Sequence, residues 1–412
     1  MSDSRLPRPL EGITVIDLTI ALAGPYATQL LGALGATVIK VENPAGGDPS
    51  RNNAPYVGDS GLHLARADDN DMSVSMLERG RGKLSTTLNL KHPEAQAIFA
   101  DLVRHADVVV ENYSAGTADR NGIGYAFASE INPRIVYVSI SGFGAGEPGK
   151  GMDTIFQALS GLMTTPGLDG DEPVRNAVPF GDLVGPLFGV IGTLTALYHR
   201  ERTGRGQHVD VSLLGALTSL IATEPWDTME RAGIAMRTGN VVPRLAPFGI
   251  FETRDGYVAL CAPTEAFARG VFAAIGRPDL IEDGRFANRD RRVANSAALH
   301  ALIATWAAEL TSAEATAALE SQGVPTAVVR DTAAAVRDPL ALRRGETMPL
   351  AHPELGPVAD IVGSGFPVRF SETRAGYEGA PPRLGQHNEF VFGGLLGYSH
   401  ERVEALRAAG AI

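Results

Sequence analysis

The sequence predicts an α/β protein with a doubly wound parallel sheet and a second, smaller α+β domain. In the first half of the chain, short apolar runs alternate with segments of helical pattern, as in strand–helix–strand units. The loops that follow these runs are rich in glycine, proline and polar residues, which is typical of loops that form a site at the carboxyl ends of parallel strands. From residue 242 onwards the pattern changes to strand-like and then helical segments, which indicates a separate unit.

The predicted elements follow one another in a regular order. Strands are expected at 13–18, 36–42, 84–90, 106–112 and 134–144, and helices at 25–35 and about 93–105. The segment 45–61 is polar and glycine-rich, so we expect a loop there. The amphipathic stretch 400–410 is expected to be a C-terminal helix.

The domain boundaries follow from these changes of pattern. Residues 1–215 are predicted to form the large domain, which about 335–412 completes. Residues 216–241 are predicted to be a linker, and 242–330 the small α+β domain. The stretch 331–412 is then a return linker and a C-terminal segment, and 412 residues suffice for two domains.

The composition excludes several classes of function. The net charge of −11 argues against nucleic acid or an anionic membrane surface as the main partner. The single cysteine, Cys261, excludes an internal disulfide, and the nine histidines lack metal-ligand spacing, so no metal is expected. The N-terminus has no signal-peptide pattern, and the apolar stretch 183–198 is short for a bilayer span. We therefore expect a cytoplasmic protein.

The stretch FGDLVGP at 180–186 places Asp182 between glycines and before an apolar run. One interpretation is a helix cap, because aspartate is a preferred N-cap and its charge suits the helix dipole. The other is a nucleophile, because a carboxylate in a dry pocket can form a covalent acyl intermediate. The two interpretations are compatible, since a helix end can orient a carboxylate that also reacts.

A nicotinamide dehydrogenase is the alternative from another class. It would need G-x-G-x-x-G after the first strand, where the chain instead has IALAGPYATQLLG. Glu42 ends the second strand as a ribose-binding acid would, but the glycines are missing. P-loop, HExxH and G-x-S-x-G motifs are likewise absent from the sequence.

Several stretches together resemble the class III CoA-transferases, whose relatives include α-methylacyl-CoA racemase. They occur in order along nearly the whole chain: AGPYATQLLGALGATVIKVENPAGGDPSR (23–51), LNLKHPE (88–94), VVVENYSAGTADRNGIGY (108–125), DTIFQALSGLMTTPG (153–167), FGDLVG (180–185), GTLTALYHRERTGRGQHVDVSLL (192–214), GVPTAVVRD (323–331), and RLGQHNEF and LGYSHE within 383–401. Each stretch alone is weak, but their order and spacing are specific.

This resemblance implies a Rossmann-like large domain, an interlocked homodimer, and Asp182 as the nucleophile. Asp182 would carry the acyl group as a mixed anhydride and then CoA as an aspartyl thioester. Coenzyme A would be a substrate, with no permanently bound cofactor. We expect transfer from an acyl-CoA such as succinyl-CoA to a C4–C5 dicarboxylate, or alternatively a shift of CoA between two carboxyls of one acid. A non-enzymatic acyl-CoA-binding role would leave Asp182 without a task.

Racemisation of a 2-methylacyl-CoA is the main alternative within the resemblance. Related racemases carry a G-H-D motif whose histidine is one of two bases, and this chain has Met152 at that position. A methionine cannot accept the proton, and neither His63 nor His199 lies in the matching motif.

The resemblance also implies contacts with the substrates. The expected CoA contacts are Leu22, Ala23, Asn43, Leu88, Asn89, Leu90, Lys91, Asn112, Tyr113, Ser114, Arg120, Lys150 and Met152. Arg120 is the expected phosphate partner, and Arg244 is expected to hold the distal carboxylate of a dicarboxylate. Leu22 replaces the glutamine of formyl-CoA transferases, and their glycine-rich flap is replaced by GNVVPRLAPFG at 239–249, so formyl and oxalate specificity are not expected.

Overall fold

The fold was analysed in a computed structural model that describes residues 6–235 and 237–412, except for the side chain of residue 359. Its contacts divide the chain into two compact units. The larger unit comprises the chain up to Ser160 together with Asn176–Ile221 and Val336–Ile412, and the smaller comprises Gly161–Arg175 and Ala222–Ala335. The predicted small domain, 242–330, lies within the smaller unit.

The strands, in chain order, are β1 Thr14–Asp17, β2 Thr37–Glu42, β3 Tyr56–Gly58, β4 Gly61–His63, β5 Met72–Ser73, β6 Leu84–Thr87, β7 Val108–Glu111, β8 Val136–Ser141, β9 His208–Ser212, β10 Phe248–Thr253, β11 Gly256–Cys261, β12 Thr326–Val328, β13 Thr347–His352 and β14 Gly356–Ser364.

The α-helices are α1 Ala23–Ala33, α2 Val74–Arg79, α3 Ala95–Arg104, α4 Thr117–Arg120, α5 Tyr125–Ile131, α6 Asp153–Leu159, α7 Phe180–Thr203, α8 Leu213–Ile221, α9 Trp226–Arg231, α10 Glu265–Ala274, α11 Arg289–Ala294, α12 Ser296–Ala308, α13 Ser312–Ser321, α14 Thr332–Val336, α15 Pro339–Arg344 and α16 His400–Ala408. Short 3₁₀ turns lie at Pro49–Asn52, Leu162–Thr164 and Pro278–Ile281, and a π-helix at Glu389–Leu395.

The larger unit is organised by a six-stranded sheet in the order β6-β2-β1-β7-β8-β9, in which every pair is parallel. Counted along the chain, this is the order 3-2-1-4-5-6 of a doubly wound dinucleotide-binding sheet. The strand order reverses between β1 and β7, and such sheets bind ligands at that point, beyond the carboxyl ends of the strands. The predicted parallel α/β sheet is therefore confirmed.

Both faces of this sheet are covered, which explains why its strands read as continuous apolar runs. Val15 packs into a cluster with residues of α1 and α7, whereas Ile16 packs into a second cluster with residues of α3 and α16. Alternate residues of one strand therefore enter two separate cores, as the two-residue period of a strand requires.

The smaller unit has its own core and an antiparallel sheet in the order β10-β11-β12. Buried residues of the sheet, such as Val258, pack with residues of α10, α12 and α13, such as Leu299 and Leu319. Helix α13 begins with a capping box between Thr311 and Glu314, which satisfies amides that the first turn leaves unpaired.

The prediction of a loop at 45–61 was wrong in part. This segment contains the 3₁₀ turn Pro49–Asn52 and the strand β3, which pairs with β4 and β5 in a small antiparallel sheet. Three-residue strands are too short for a readable alternation of apolar and polar residues. The β13–β14 hairpin lies in the stretch that was expected to be a return linker.

Helix α7 is the longest in the described parts of the chain and the only one there long and apolar enough, by length and composition, to cross a membrane. This is weak evidence, because the core helix of a soluble protein passes the same test. Here the helix contributes Val190, Ala196 and Leu197 to the core beneath the sheet.

Candidate active site

Asp182 is the third residue of α7, and the helix cap is not the one expected from the sequence. The N-cap residue is Pro179, which offers no side-chain hydrogen bond. The first amides of the helix instead donate to Asp153 Oδ1, from Gly181 at 2.8 Å and from Asp182 at 3.4 Å. The interpretation of Asp182 as the cap is therefore wrong. Asp153 takes that task and leaves the Asp182 carboxylate free of it.

Asp153 is itself held in place from one turn further along α6. Gln157 is fully buried and donates to Asp153 Oδ2 at 2.6 Å. Its amide also bonds the backbone of Asn176 and of Val178, in the segment that leads into α7. Sequence reasoning missed both residues, although their spacing of four places them on one helix face and could have indicated a pair.

The close approach of Asp153 explains one of the glycines that flank Asp182. A Cβ atom at Gly181 would lie 3.1 Å from Asp153 Oδ1, which is tighter than ordinary van der Waals contact. A side chain there would push the capping carboxylate away from the helix end. The glycine is thus explained by the cap that Asp153 provides.

The Asp182 carboxylate is electrostatically strained. The pKa of Asp182 is raised to about 6, first by burial and then by the charge of Asp153, and Arg79 offsets part of this shift. Within the described parts of the chain, no hydrogen bond or ion pair to this carboxylate is present. A carboxylate that is poorly solvated and unpaired is more basic and more reactive than an exposed one, which suits attack on a thioester.

Asp182 opens into a cavity of about 280 Å³, which we call the Asp182 cavity. Its walls include the carboxyl-end segments of three neighbouring strands: residues 20–23 after β1, 112–115 after β7, and 140–143, which end β8 and begin the loop after it. These segments meet where the strand order reverses, as predicted for a doubly wound sheet. Of the expected CoA contacts, this cavity brings together Leu22, Ala23, Asn112, Tyr113, Ser114 and Met152.

A second cavity of about 330 Å³, the Lys91 cavity, adjoins the first. The two share Ile20 and Tyr113 as lining residues. The expected contacts Asn43, Leu88, Asn89, Leu90 and Lys91 all line this second cavity. Lys91 is exposed, and among the described residues no carboxylate lies within 4 Å of its ammonium group. This cation is therefore available to an anionic ligand.

Three expected contacts are not brought into either cavity. Arg120 is exposed and donates to Thr117 Oγ1 at 2.7 Å, and Lys150 lies between two cavity-lining glycines without lining the cavity itself. Arg244 belongs to the smaller unit, where it forms an ion pair of 2.7 Å with Glu224. The spacing of residues along the chain could not predict these orientations.

The structure bears on both alternative activities. Met152 lines the Asp182 cavity at the position where related racemases have histidine, and of the described residues that line the cavity none is a histidine. Glu42, the expected ribose-binding acid of a dehydrogenase, is instead paired with Arg51 through two bonds of 2.7 Å. The Asp48 N–H and the Ser85 hydroxyl also donate to Glu42, at 3.0 and 2.6 Å, so its four acceptor sites are used and a ribose would have to break one of these bonds.

One exposed group of side chains could geometrically hold a metal ion. Ligand atoms of Glu389, His400 and Glu404 lie within 4.8 Å of one another. Arg407, however, forms ion pairs with both glutamates, so a cation would have to displace a guanidinium group.

The comparisons with known proteins agree with this geometry. The family model of CoA-transferase family III matches residues 10–388. The chain is 33% identical to the succinyl-CoA–D-citramalate CoA-transferase of Chloroflexus aurantiacus, over all of both chains. It is 35% identical to the succinyl-CoA:mesaconate CoA-transferase of Haloarcula hispanica, over 96% of this chain and 99% of that one.

A solved structure is similar to this chain over nearly its whole length. A CaiB/BaiF family protein from Brucella suis superposes with a TM-score of 0.80 and 31% identity, covering 94% of this chain and 100% of the other. The chain therefore belongs to CoA-transferase family III, and it is an enzyme of that family.

Proposed function

We propose that this enzyme transfers CoA from succinyl-CoA, or a similar acyl-CoA, to a small dicarboxylate through an aspartyl-CoA thioester on Asp182. The observation that carries the proposal is the half-buried Asp182 carboxylate, which has no ion-pair or hydrogen-bond partner among the described residues and lies in a cavity at the sheet's switch point. Four relatives are named for succinyl-CoA as the donor and D-citramalate, mesaconate, glutarate or L-malate as the acceptor, and a fifth is named for acetyl-CoA and oxalate.

The proposed reaction has four balanced steps. The Asp182 carboxylate attacks the donor thioester and releases CoA thiolate, which leaves a mixed anhydride. The thiolate attacks the aspartyl carbonyl, so that the donor acid leaves and Asp182 carries CoA as a thioester. The acceptor carboxylate then displaces CoA from Asp182, and the thiolate attacks the acceptor's carbonyl and frees Asp182. No proton has to be moved, because every nucleophile reacts as an anion.

The cavity walls suit this chemistry because the anhydride must not meet water. Ile140, Phe143, Phe156 and Leu213 give the Asp182 cavity apolar walls. Where these four side chains line the cavity, they offer no hydrogen bonds to water, which limits hydrolysis of the intermediates. The anhydride on Asp182 is therefore more accessible to the CoA thiolate than to water.

The two adjoining cavities suggest how CoA lies. The phosphate-bearing end would occupy the Lys91 cavity, where the free ammonium can pair with a phosphate oxygen. The pantetheine arm would pass Ile20 and Tyr113, the residues common to both cavities, and bring the thioester to Asp182. Arg120 and Lys150 would join the phosphates only by turning from their present positions.

A panel of acids tests the transfer. The protein is incubated with succinyl-CoA and glutarate, D-citramalate, mesaconate, L-malate or butyrate, and new CoA esters are measured by mass spectrometry. We expect the wild type to form the CoA ester of at least one dicarboxylate, and Asp182→Asn to form none. No new ester with any acid, together with deuterium entering the α-carbon of a 2-methylacyl-CoA from heavy water, would instead support racemisation.

Arg244 remains the proposed partner of the acceptor's distal carboxylate. Its present partner is Glu224, so binding would exchange one carboxylate for another. Arg244→Ala should raise the KM for a dicarboxylate and spare that for butyrate. Equal effects on both acids would contradict this assignment.

The homodimer is likewise a proposal, supported by an apolar stripe on α7. Leu187, Ile191, Leu194 and Tyr198 recur at helical spacing and are 37–65% exposed in the single chain. The interlocked arrangement that the resemblance implies would cover such a stripe. Light scattering at micromolar concentration should give twice the mass of 43.3 kDa, and a monomer would contradict the proposal. The cytoplasmic location stays a prediction.

A further inference from the structure

The segment from Thr19 to Leu22, between β1 and α1, is a wall common to both cavities. Thr19 and Ile20 line the Lys91 cavity, and Ile20, Ala21 and Leu22 line the Asp182 cavity. A CoA ester that passed from one cavity to the other would therefore run along this segment. Its backbone conformation sets where the thioester meets Asp182.

The first part of this wall is held by side chains rather than by a strand. Lys40 Nζ donates to the Thr19 carbonyl at 2.8 Å. The Asn112 amide accepts from the Ile20 N–H at 2.8 Å and donates to the Ile20 carbonyl at 2.9 Å. Lys40 lies in β2 and Asn112 directly follows β7, so both strands that flank β1 hold this wall.

The next residue, Ala21, is held in a strained conformation. Its φ of +65° lies in the left-handed region, which alanine seldom occupies because of its Cβ. Asp48 Oδ1 accepts from the Ala21 N–H at 3.1 Å, and Arg79 Nη1 donates to the Ala21 carbonyl at 3.2 Å. Strained residues persist only where their surroundings over-determine them, and such residues cluster at functional sites.

Arg79 carries a charge whose burial is offset only in part by the nearby carboxylates of Asp48, Glu78 and Asp182. Its Nε is buried without a hydrogen-bond partner in the described chain, and no carboxylate there lies within 4 Å of its guanidinium group. Burial lowers the pKa of Arg79, which means that its charge is poorly solvated. The bond to the Ala21 carbonyl is the one hydrogen bond that the described residues give this side chain.

We propose that Arg79 is a positioning residue of the transfer reaction, which holds Ala21 in its left-handed conformation and thereby fixes the wall that presents the thioester to Asp182. The proposal rests on the proposed function of Asp182. It goes beyond that function because it assigns a task to a residue that lines neither cavity.

A second effect of Arg79 has to be separated from this one. Its charge also acts on Asp182 directly, without an ion pair. The direct effect does not depend on the residue at position 21. The positioning effect does, because glycine adopts a positive φ without steric cost and needs no clamp. The two effects can therefore be distinguished with a double variant.

The experiment compares the wild type, Arg79→Met, Ala21→Gly and the double variant with the acyl-CoA and dicarboxylate pair that the wild type uses best. Arg79→Met should lower kcat about 10- to 100-fold, the scale of a reacting group misplaced by about 1 Å, with little change in the KM for acyl-CoA. In the Ala21→Gly background, whose own kcat is the reference, the same Arg79→Met change should lower kcat by no more than about threefold, because glycine needs no clamp to keep a positive φ.

Two results would overturn the proposal: an unchanged kcat in Arg79→Met, or a double variant whose kcat lies as far below that of Ala21→Gly as the kcat of Arg79→Met lies below that of the wild type. If Arg79→Met does not fold, Arg79→Lys replaces it, and the same smaller loss in the Ala21→Gly background is expected. A wild type that forms no new CoA ester would contradict the proposed function instead, so the two failures are distinguishable.

Discussion

Two aspartates of the larger unit are withdrawn from water in different ways. Asp17, at the end of β1, is fully buried and lies 2.9 Å from Lys83 Nζ. Burial alone would raise the pKa of Asp17, but Lys40, Lys83 and two threonine hydroxyls hold it well below its usual range. Asp182 has no such partners among the described residues, and burial and the charge of Asp153, offset in part by Arg79, raise its pKa to about 6.

The difference separates a structural carboxylate from a reactive one. A buried charge that is fully paired has no reason to react, because every lone pair is already bound. A buried charge that is unpaired destabilises the fold, and a protein retains it where it performs chemistry. The two aspartates therefore predict opposite outcomes when they or their neighbours are changed.

The largest expected effect comes from Asp182→Asn. Transfer should fall by about 10⁴-fold or more, the scale of removing the nucleophile from a covalent enzyme. The folded pKa of Asp182 lies above its unfolded value, so ionisation costs stability as pH rises through about 6. At pH 8 the variant should therefore be more stable than the wild type, by about 1–3 kcal/mol.

Ester formation and urea denaturation at pH 8 check both parts of this prediction. Asp59→Asn, at an exposed position, is the matched control and should change neither quantity. A variant that is inactive but less stable than the wild type would contradict the account of Asp182 as an unpaired charge.

The paired aspartate should respond in the opposite way. Lys83→Met leaves Asp17 buried without its ion pair and should lower the free energy of unfolding by about 3–5 kcal/mol. Lys91→Met removes an exposed lysine and should stay within about 0.5 kcal/mol of the wild type. Urea denaturation measures both, and equal stabilities would mean that the Asp17 pair contributes nothing.

A smaller effect is expected at Gly24, which packs in α1 against the wall of the two cavities. A Cβ atom at Gly24 would lie 2.4 Å from Thr19 Cβ and 2.9 Å from Asn112 Cγ, both parts of the cavity wall. Gly24→Ala should therefore cost about 1–3 kcal/mol of stability and also lower kcat. At Gly32, in the same helix, the nearest atom is Val38 Cγ2 at 3.5 Å, so Gly32→Ala should be neutral or stabilising.

Thermal unfolding and turnover of these two alanine variants provide the check. If Gly32→Ala lost as much activity as Gly24→Ala, the effect would belong to the helix and not to the wall.

The smallest change is a shift of a pH profile. The nucleophile must be ionised, so kcat/KM should fall as pH drops through about 6, since this quantity reports the free enzyme. Asp153→Asn removes the neighbouring charge, so the fall of kcat/KM should move to lower pH. Glu147→Gln changes a carboxylate that lines the same cavity but does not shift Asp182, so in this variant the fall should not move. If the fall of kcat/KM occurred at the same pH in Asp153→Asn as in the wild type, it could not be assigned to Asp182.

Much of the fold could be predicted because its signals are local. The apolar runs that became β1, β2, β7 and β8 are separated by helices of recognisable length, which indicates parallel pairing. The loops after those strands were expected to form the site because parallel strands present their carboxyl ends at one edge. The residue Asp182 itself was identified by resemblance to a family, and composition alone would have favoured a cap.

The rest depends on tertiary contacts that carry no local signal. The cap from Asp153 spans 28 residues, and the bond from Arg79 to Ala21 spans 58. The sequence around Ala21 does not indicate a positive φ, because side chains from other elements impose this backbone conformation.

Trapping the intermediate on Asp182 tests the central claim most directly. The protein is incubated with succinyl-CoA without an acceptor, quenched in acid and digested, and the peptide that contains Asp182 is measured by mass spectrometry. We predict a mass increase equal to CoA minus water on that peptide, which disappears when a dicarboxylate is added and is absent in Asp182→Asn. Efficient CoA transfer with no modified peptide, or a modification on another residue, would contradict the account.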